Sequence, residues 1–209
     1  MKILMVDDHT LLRGGIKSTL AIFLPAAQFT EAKDAVEAIQ LVRQGDIDIV
    51  ILDIGLPGRD GIEVLSDIKA ISPNLPVLML SMYPEEQFAL RSLKSGASGY
   101  LNKEVDGKEL AAAIQCAVRG EKYLSPALAQ KLAFALIEGG DKPLHENLSD
   151  REYQILCLIG SGKTVSQIAA SLFLSVKTVS THRTNILRKM EFQTSSDLMR
   201  YALKNGLSH

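Results

Sequence analysis

Four short apolar runs of this sequence each lead to a polar residue that could take part in phosphate chemistry. Asp7 and Asp8 follow the first run, Asp53 ends another, and Ser81 and Lys103 come at the ends of two more. Carboxylates held close together repel one another and favour a bound cation, and such oxygen ligands suit Mg²⁺ beside a phosphate. With Lys103 as a fixed positive charge and Ser81 as a donor, the set predicts phosphoryl transfer onto a carboxylate, with Asp53 as the nucleophile.

These residues need a scaffold that brings the ends of the runs together. Strand and helix patterns alternate five times over residues 1–118, which predicts an α/β fold with a doubly wound, five-stranded parallel sheet in the order 2-1-3-4-5. The switch point of that order lies between the first and third strands, which lead to Asp7-Asp8 and Asp53. The predicted strands are 2–6, 28–32, 47–53, 76–81 and 99–101, and the predicted helices are 11–23 with Thr10 as N-cap, 34–42, 61–71, 84–95 and 107–118 with Asp106 as N-cap.

The sequence changes character after this alternating part. Glycine and proline punctuate residues 119–148, and an apolar stretch over residues 125–137 predicts one helix within them. We therefore predict a first domain over residues 1–120, a linker over 121–146 and a second domain over 147–209. The linker helix is expected to be able to dock on the first domain.

The second domain is predicted to be a small all-α domain. Ser149 and Glu152 form the sequence pattern of a capping box, and helical segments follow at about 150–159, 164–172, 176–190 and 195–205. The second and third segments are joined by a turn of about three residues, which is the arrangement of a helix-turn-helix. This motif commonly places its second helix in the major groove of DNA.

The helix at 176–190 carries several basic side chains and no acidic residue. Such a helix can be an ordinary solvated face, but its position after the turn favours DNA binding. Basic and hydroxyl side chains would contact phosphates, and base reading is expected from Ser180, Thr181 and Thr184, together with Arg183. The full set of predicted DNA contacts is Lys177, Thr178, Ser180, Thr181, His182, Arg183, Thr184, Arg188 and Lys189.

Charge and composition agree with two modules that have different partners. Residues 1–145 have a net charge of −4 and residues 146–209 a net charge of +3. No apolar run is long enough to span a membrane, and the N-terminus becomes acidic too early for a signal peptide. Cys116 and Cys157 lie in apolar helical segments and are predicted to be reduced. These features predict a cytoplasmic protein with no membrane partner.

Residues 1–120 resemble the receiver domain of bacterial two-component response regulators. The match is carried by Asp7-Asp8, Asp53 with Leu56-Pro57 and Asp60-Gly61, Ser81, Tyr100 and Lys103. The resemblance implies that Asp53 accepts a phosphoryl group from a sensor histidine kinase. It also implies that Mg²⁺ is bound by Asp7, Asp8, Asp53 and the backbone carbonyl of Gly55. Ser81 and Tyr100 would form the switch pair, with Tyr100 turning inward, and Lys103 would contact the phosphoryl group.

Residues 147–209 resemble the LuxR-type DNA-binding domain, so the whole chain resembles a response regulator of the NarL/FixJ type. The second match is carried by residues 148–152, Ile168-Ala169 and residues 175–182. Val176 stands where many members have an acidic residue. Met190-Glu191 stands where many have Leu-Gly, so we expect the helix to end without a left-handed cap. The last helix would form a dimer contact through Ser196, Met199 and Leu203.

The function predicted from the sequence is phosphorylation-dependent transcriptional regulation rather than enzymatic turnover. A kinase, promoter DNA, RNA polymerase and a second copy of the chain are the expected partners. An aspartyl phosphatase of the haloacid-dehalogenase type is an alternative, but it would need a second aspartate where Gly55 stands. A second alternative is a regulator whose acidic site only binds metal or is vestigial. His9 could be a metal ligand or a phosphoryl carrier, although a residue in this position more often has a local structural role.

Overall fold

The computed structural model describes residues 1–83, 85–130 and 143–207. The chain divides into two compact units, residues 1–138 and 139–209, and each is described by itself. Within the described residues, no helix combines the length and the apolar character that crossing a membrane would require.

The first unit contains a parallel sheet in the predicted order, β2-β1-β3-β4-β5. Its strands alternate with helices along the chain, as the sequence predicted. The strands are β1 (Lys2–Val6), β2 (Gln28–Ala32), β3 (Ile49–Leu52), β4 (Val77–Ser81) and β5 (Gly99–Asn102), and the helices are α1 (Thr10–Phe23), α2 (Ala35–Gln44), α3 (Gly61–Ile71), α4 (Glu85–Lys94) and α5 (Gly107–Val118).

The register of the central strands positions the polar residues that follow them. All residues of β3 and β4 are buried, which explains why these strands are apolar on both faces. Val6 of β1 pairs with Leu52 of β3, and the Asp53 N–H donates to the Val6 carbonyl at 2.9 Å. Asp7 and Asp53 therefore follow adjacent strands at the same level of the sheet.

The helix starts of the first unit depend on aspartate caps, with one correction to the sequence prediction. Asp34, Asp60 and Asp106 each accept a backbone N–H at the start of α2, α3 and α5. The prediction that Thr10 caps α1 was wrong, because Thr10 is the first helical residue and His9 takes the cap position without a side-chain cap. The Asp7 carboxylate accepts the His9 N–H at 2.7 Å instead, so a residue of the acidic site shapes this turn.

The start of the predicted linker lies on the edge of the sheet. We call residues 121–125 the edge segment. Within it, Tyr123 forms a parallel bridge with Gly99, and its N–H donates to the Ser98 carbonyl at 2.7 Å. Ser125 hydrogen-bonds the Glu85 carboxylate and accepts the Leu128 N–H at 3.2 Å. Residues 126–130 are helical, and the rest of the predicted linker helix lies outside the described residues.

The second unit consists of helices, as predicted. After a 3₁₀ turn over Leu144–Asn147 come α6 (Asp150–Gly160), α7 (Val165–Ser171), α8 (Val176–Lys189) and α9 (Ser195–Lys204). Helix α6 is buried over most of its length and packs against both α8 and α9. Side-chain caps open all four helices, and the predicted capping box of Ser149 and Glu152 is confirmed.

Helix α8 ends in a left-handed turn even though no glycine is present there. Glu191 has φ of 59°, the Phe192 N–H donates to the Leu187 carbonyl at 2.9 Å and the Glu191 N–H donates to the Arg188 carbonyl at 3.3 Å. These two bonds form a Schellman motif. The expectation that α8 lacks a left-handed cap was therefore wrong, because the two hydrogen bonds of the Schellman motif hold Glu191 in a conformation that glycine adopts more readily.

We expect Glu191→Gly to stabilise the second unit by about 1 kcal/mol, because glycine removes the cost of the left-handed conformation. Hydrogen–deuterium exchange of α8 and α9 peptides in the whole chain measures the opening free energy of this unit. The matched control is Glu191→Ala, which keeps a Cβ and should give no gain. Equal protection in the glycine and alanine variants would contradict the expected strain.

Candidate functional site

An ion cluster lies at the carboxyl edge of the sheet, where β1, β3 and β5 end. Lys103 Nζ lies 2.6 Å from Asp7 Oδ2 and 2.8 Å from Asp53 Oδ2. All three side chains are almost completely buried, and that of Lys103 is only 3% exposed. The Lys103 N–H donates to the Ser81 carbonyl at 2.9 Å, which fixes the chain after β5 beside β4. The structure thus brings together the residues that the sequence predicted at this edge.

The charges of this cluster are strongly coupled. Burial raises the pKa of the Asp53 carboxyl, and the neighbouring Asp7 carboxylate adds to that rise, whereas Lys103 opposes it. Burial would lower the pKa of Lys103, but the carboxylates of Asp53 and Asp7 outweigh this effect and raise it. Lys103 is therefore held in its charged form. The ionised form of Asp53 is costly unless a positive charge lies close to it.

The acidic cluster is compact enough to hold one cation. Ligand atoms of Asp7, Asp8, His9 and Asp53 all lie within 4.8 Å of one another. Lys103 alone cannot offset three carboxylates, so both the charge and the oxygen-rich donor set fit a divalent ion such as Mg²⁺. His9 Nδ1 lies 2.9 Å from Asp8 Oδ1 and 3.1 Å from Asp7 Oδ1, but the imidazole is two-thirds exposed.

The loop between β3 and α3 holds the backbone next to Asp53. At Gly61, an added Cβ would lie 2.2 Å from the Asp53 carbonyl oxygen and 2.6 Å from Ile54 Cα. Only glycine allows this approach without a shift of the backbone. At Gly55, a Cβ would lie 3.4 Å from Asp53 Oδ2, so this glycine leaves space above the carboxylate. The part of the Gly55 carbonyl in metal binding stays a prediction.

Ser81 and Tyr100 meet at one residue that the sequence analysis did not identify. The Tyr83 N–H donates to Ser81 Oγ at 3.3 Å, and the Tyr100 hydroxyl donates to the Tyr83 carbonyl at 2.6 Å. Tyr100 is fully buried, and burial raises the pKa of its hydroxyl well above the usual range. The side chain thus occupies an inward position. Both hydroxyls hold the same turn, which connects β4 to α4.

The exposed side of α8 is basic and polar. Lys177, Thr181, Thr184 and Arg188 are all exposed along it, whereas Val179 and Ile186 are buried on the opposite side. The side chain of Thr178 hydrogen-bonds the capping residue Ser175, with 2.8 Å between their hydroxyl oxygens, and Ser180 is half-buried.

Three other residues predicted to contact DNA direct their side chains toward the rest of the second unit. Lys189 Nζ lies 2.6 Å from the Oε2 atom of Glu152, whose carboxylate is buried. Arg183 Nη1 donates to Ser195 Oγ at 2.8 Å, and His182 is partly buried. Sequence position alone does not reveal these directions. Contact of these three residues with DNA stays a prediction.

The residues predicted for the dimer contact share one face of α9. Ser196, Met199 and Leu203 are exposed, while Leu198 and Ala202 are buried against the rest of the unit. Their role in a dimer stays a prediction.

Comparison with known proteins assigns both units. The response regulator receiver domain family matches residues 3–115, and the luxR family of bacterial regulatory proteins matches residues 146–202. The oxygen regulatory protein NreC of Staphylococcus carnosus is 34% identical over 214 residues, which cover 99% of each chain. The transcriptional regulatory protein LiaR of Bacillus subtilis is 33% identical over 208 residues and 99% of each chain.

The chain belongs to the response regulators of the NarL/FixJ type. A solved structure of the two-component response regulator RcsB in complex with DNA is similar over 96% of each chain, with a TM-score of 0.58 and 25% identity. The response regulator therefore combines a receiver domain with a LuxR-type DNA-binding domain, as the sequence predicted. Receiver domains generally use Mg²⁺, and the acidic cluster lies within the matched receiver residues.

Two residues that support the receiver site were not recognised from the sequence. Arg13 is buried, hydrogen-bonds the Asp7 carbonyl and donates from Nε to Glu31 at 2.9 Å. Tyr83 links the hydroxyls of Ser81 and Tyr100, as described above. A basic residue on the inner face of α1 and an aromatic residue two positions after Ser81 were the available signals, but neither has a specific meaning without the tertiary contacts.

We expect Asp53→Asn to stabilise the receiver domain by about 1 kcal/mol at neutral pH, because it removes a buried carboxylate whose pKa is raised. The gain should vanish as the pH falls through that raised pKa, since protonated wild-type Asp53 no longer carries the cost. Hydrogen–deuterium exchange of β1 and β3 peptides measures this gain in stability at each pH. Glu104→Gln, at an exposed position of the next loop, is the matched control and should change little. A gain that persists at low pH would contradict the electrostatic origin.

Proposed function

We propose that this response regulator accepts a phosphoryl group on Asp53 from a sensor histidine kinase and then binds promoter DNA through α8. The single observation that carries the first part is the buried contact of Lys103 Nζ with both Asp53 and Asp7, at 2.8 and 2.6 Å. A buried carboxylate with a fixed ammonium beside it, at the edge where parallel strands end, is suited to receive a phosphoryl group.

The transfer would proceed by attack of an Asp53 carboxylate oxygen on the phosphorus of a phosphohistidine. The new O–P bond forms as the N–P bond to the kinase imidazole breaks, and the imidazole leaves as the neutral base once it has taken a proton. Lys103 stabilises charge on the phosphoryl oxygens. Asp7, Asp8, Asp53 and the Gly55 carbonyl would hold Mg²⁺, which when bound supplies further neutralisation of that charge.

The switch would act through the turn at Tyr83. A phosphoryl group on Asp53 would offer the Ser81 hydroxyl a charged, and therefore strong, hydrogen-bond acceptor. A shift of the Ser81 side chain toward that group would break the hydrogen bond that its oxygen accepts from the Tyr83 N–H. The buried Tyr100 hydroxyl, which donates to the Tyr83 carbonyl, would then either keep that bond or move with the turn. The β4–α4 turn is thereby linked to the state of Asp53.

The DNA-binding part of the proposal rests on the exposed basic side of α8 and on the similarity to RcsB, which was solved as a complex with DNA. Lys177 and Arg188 are exposed at its two ends, where they can contact phosphates. Ser196, Met199 and Leu203 would form the contact of a homodimer that binds two half-sites. RNA polymerase is the proposed partner at the promoter, and the cytoplasm is the proposed compartment.

Turnover of a phosphate ester is not part of this proposal. Gly55 stands where an aspartyl phosphatase of the haloacid-dehalogenase type would place its acid, so Asp53 lacks that partner. Water can reach the phosphorylated carboxylate over Gly55, and we propose slow self-dephosphorylation only.

We expect acetyl phosphate with Mg²⁺ to produce tighter, sequence-selective DNA binding by the wild-type chain and none of this gain in Asp53→Asn. Binding to a pool of random duplexes, followed by sequencing of the bound fraction, measures this without a known operator. Glu104→Gln is the control that should respond like the wild type. Selective binding that ignores the donor would leave a DNA-binding protein whose acidic site is not a phosphoryl switch.

We expect Lys177→Ala and Arg188→Ala to weaken DNA binding evenly across sequences, because phosphate contacts carry affinity without sequence information. The slope of log binding constant against log salt should fall by about one for each variant. Lys163→Ala, an exposed lysine outside α8, is the matched control. A loss confined to particular sequences would show that these residues contact bases.

A further inference from the structure

The exposed side of α8 has cations at its ends and threonines at its centre. Lys177, Thr181, Thr184 and Arg188 follow one another at helical spacing and are all exposed. The two cations are eleven positions apart in the sequence, which corresponds to about 16.5 Å along the helix axis at a rise of roughly 1.5 Å per residue. The major groove is about 12 Å wide, so the ends of this face can reach phosphates while its centre faces base edges.

Both central threonines turn their hydroxyl groups back to their own helix. Thr181 Oγ1 donates to the Lys177 carbonyl at 3.0 Å, and Thr184 Oγ1 donates to the Ser180 carbonyl at 3.1 Å. Each of these bonds uses the only proton of the hydroxyl and fixes χ1 of a β-branched side chain. With the hydroxyl held at the backbone, the γ-methyl is the group that each side chain presents away from the helix.

We propose that Thr181 and Thr184 read DNA through these methyl groups, by contact with the 5-methyl groups of thymines in the major groove. This inference rests on the proposed DNA-binding role of α8. Thymine is the base that offers a methyl group in that groove, and a threonine methyl is a suitable partner for it. In this arrangement the cations on either side contact phosphates, and the two threonines make apolar contacts with thymine. Hydrogen bonds to base edges would then come from other residues.

The spacing of the two threonines predicts the spacing of the thymines. Side chains three residues apart on a helix have Cβ atoms about 5–6 Å apart. Successive base pairs are about 3.4 Å apart along the duplex axis, so the two contacted thymines should lie in adjacent base pairs or have a single base pair between them. Each half-site should therefore contain such a pair of thymines.

Replacement of single thymines by deoxyuridine tests the inference, because it removes the methyl group and leaves base pairing intact. The whole chain, treated with acetyl phosphate and Mg²⁺, is titrated with a duplex selected from the random pool. It is also titrated with matched duplexes in which one thymine is replaced by deoxyuridine. We expect wild-type affinity to fall about fourfold at each contacted thymine, from the loss of one buried methyl.

Threonine variants supply the matched control within the protein. Thr181→Val and Thr184→Val keep the methyl and remove the hydroxyl, so each should keep the wild-type sensitivity to deoxyuridine at the contacted thymine. Thr181→Ser and Thr184→Ser keep the hydroxyl and remove the methyl. They should lose about fourfold on the thymine duplex and then be insensitive to deoxyuridine at the corresponding position.

The opposite pattern would overturn the inference. Full affinity in the serine variants with loss in the valine variants would show that the hydroxyls read the bases. Uniform insensitivity of the wild type to deoxyuridine would show that no thymine methyl is contacted. Failure to select any duplex from the random pool would instead overturn the proposed DNA-binding role, and this inference with it. Unchanged thermal unfolding of all four variants confirms that each remains folded.

Discussion

The contact of Lys103 with two buried carboxylates is the interaction on which the receiver site depends. Burial of charged groups is costly, and a buried ion cluster persists only when geometry and pairing offset that cost. Here the geometry comes from the sheet, because the pairing of Val6 with Leu52 places Asp7 beside Asp53. The hydrogen bond from the backbone N–H of Lys103 to the Ser81 carbonyl brings the end of β5 to the same edge. The site is thus a product of strand register rather than of any local motif.

A related constraint orders the DNA-binding domain. Glu152 belongs to the cap of α6, yet its carboxylate also accepts the Lys189 ammonium from the far end of α8. The pKa of Glu152 is lowered, since the hydrogen bonds from Lys189 and Ser149 outweigh the effect of burial. The same carboxylate therefore stabilises a helix start and fixes the direction of the helix that carries the basic face.

Much of this architecture could be predicted from sequence, because strand periodicity, capping residues and loop glycines act locally. The capping roles of Asp106 and Ser149 are confirmed for this reason. The strand order is confirmed because right-handed crossovers leave few arrangements for five parallel strands that alternate with helices. The failures are tertiary. His9 rather than Thr10 holds the cap position of α1, with its N–H donated to the Asp7 carboxylate. Glu191 adopts a left-handed conformation that no local preference favours. Tyr83 could not be recognised, because its importance arises only where Ser81 and Tyr100 meet.

Because the edge segment packs on the sheet, the folded receiver domain extends beyond residue 120. The edge strand of a sheet exposes unpaired N–H and C=O groups that invite pairing with other chains. Tyr123 covers part of that edge at β5, and its hydroxyl donates to Glu109 of α5 at 2.7 Å. A fragment cut at residue 120 would keep the cluster of Asp7, Asp53 and Lys103 but would expose this strand to pairing with other chains. A well-behaved isolated receiver should therefore include the residues through the helical turn at 126–130.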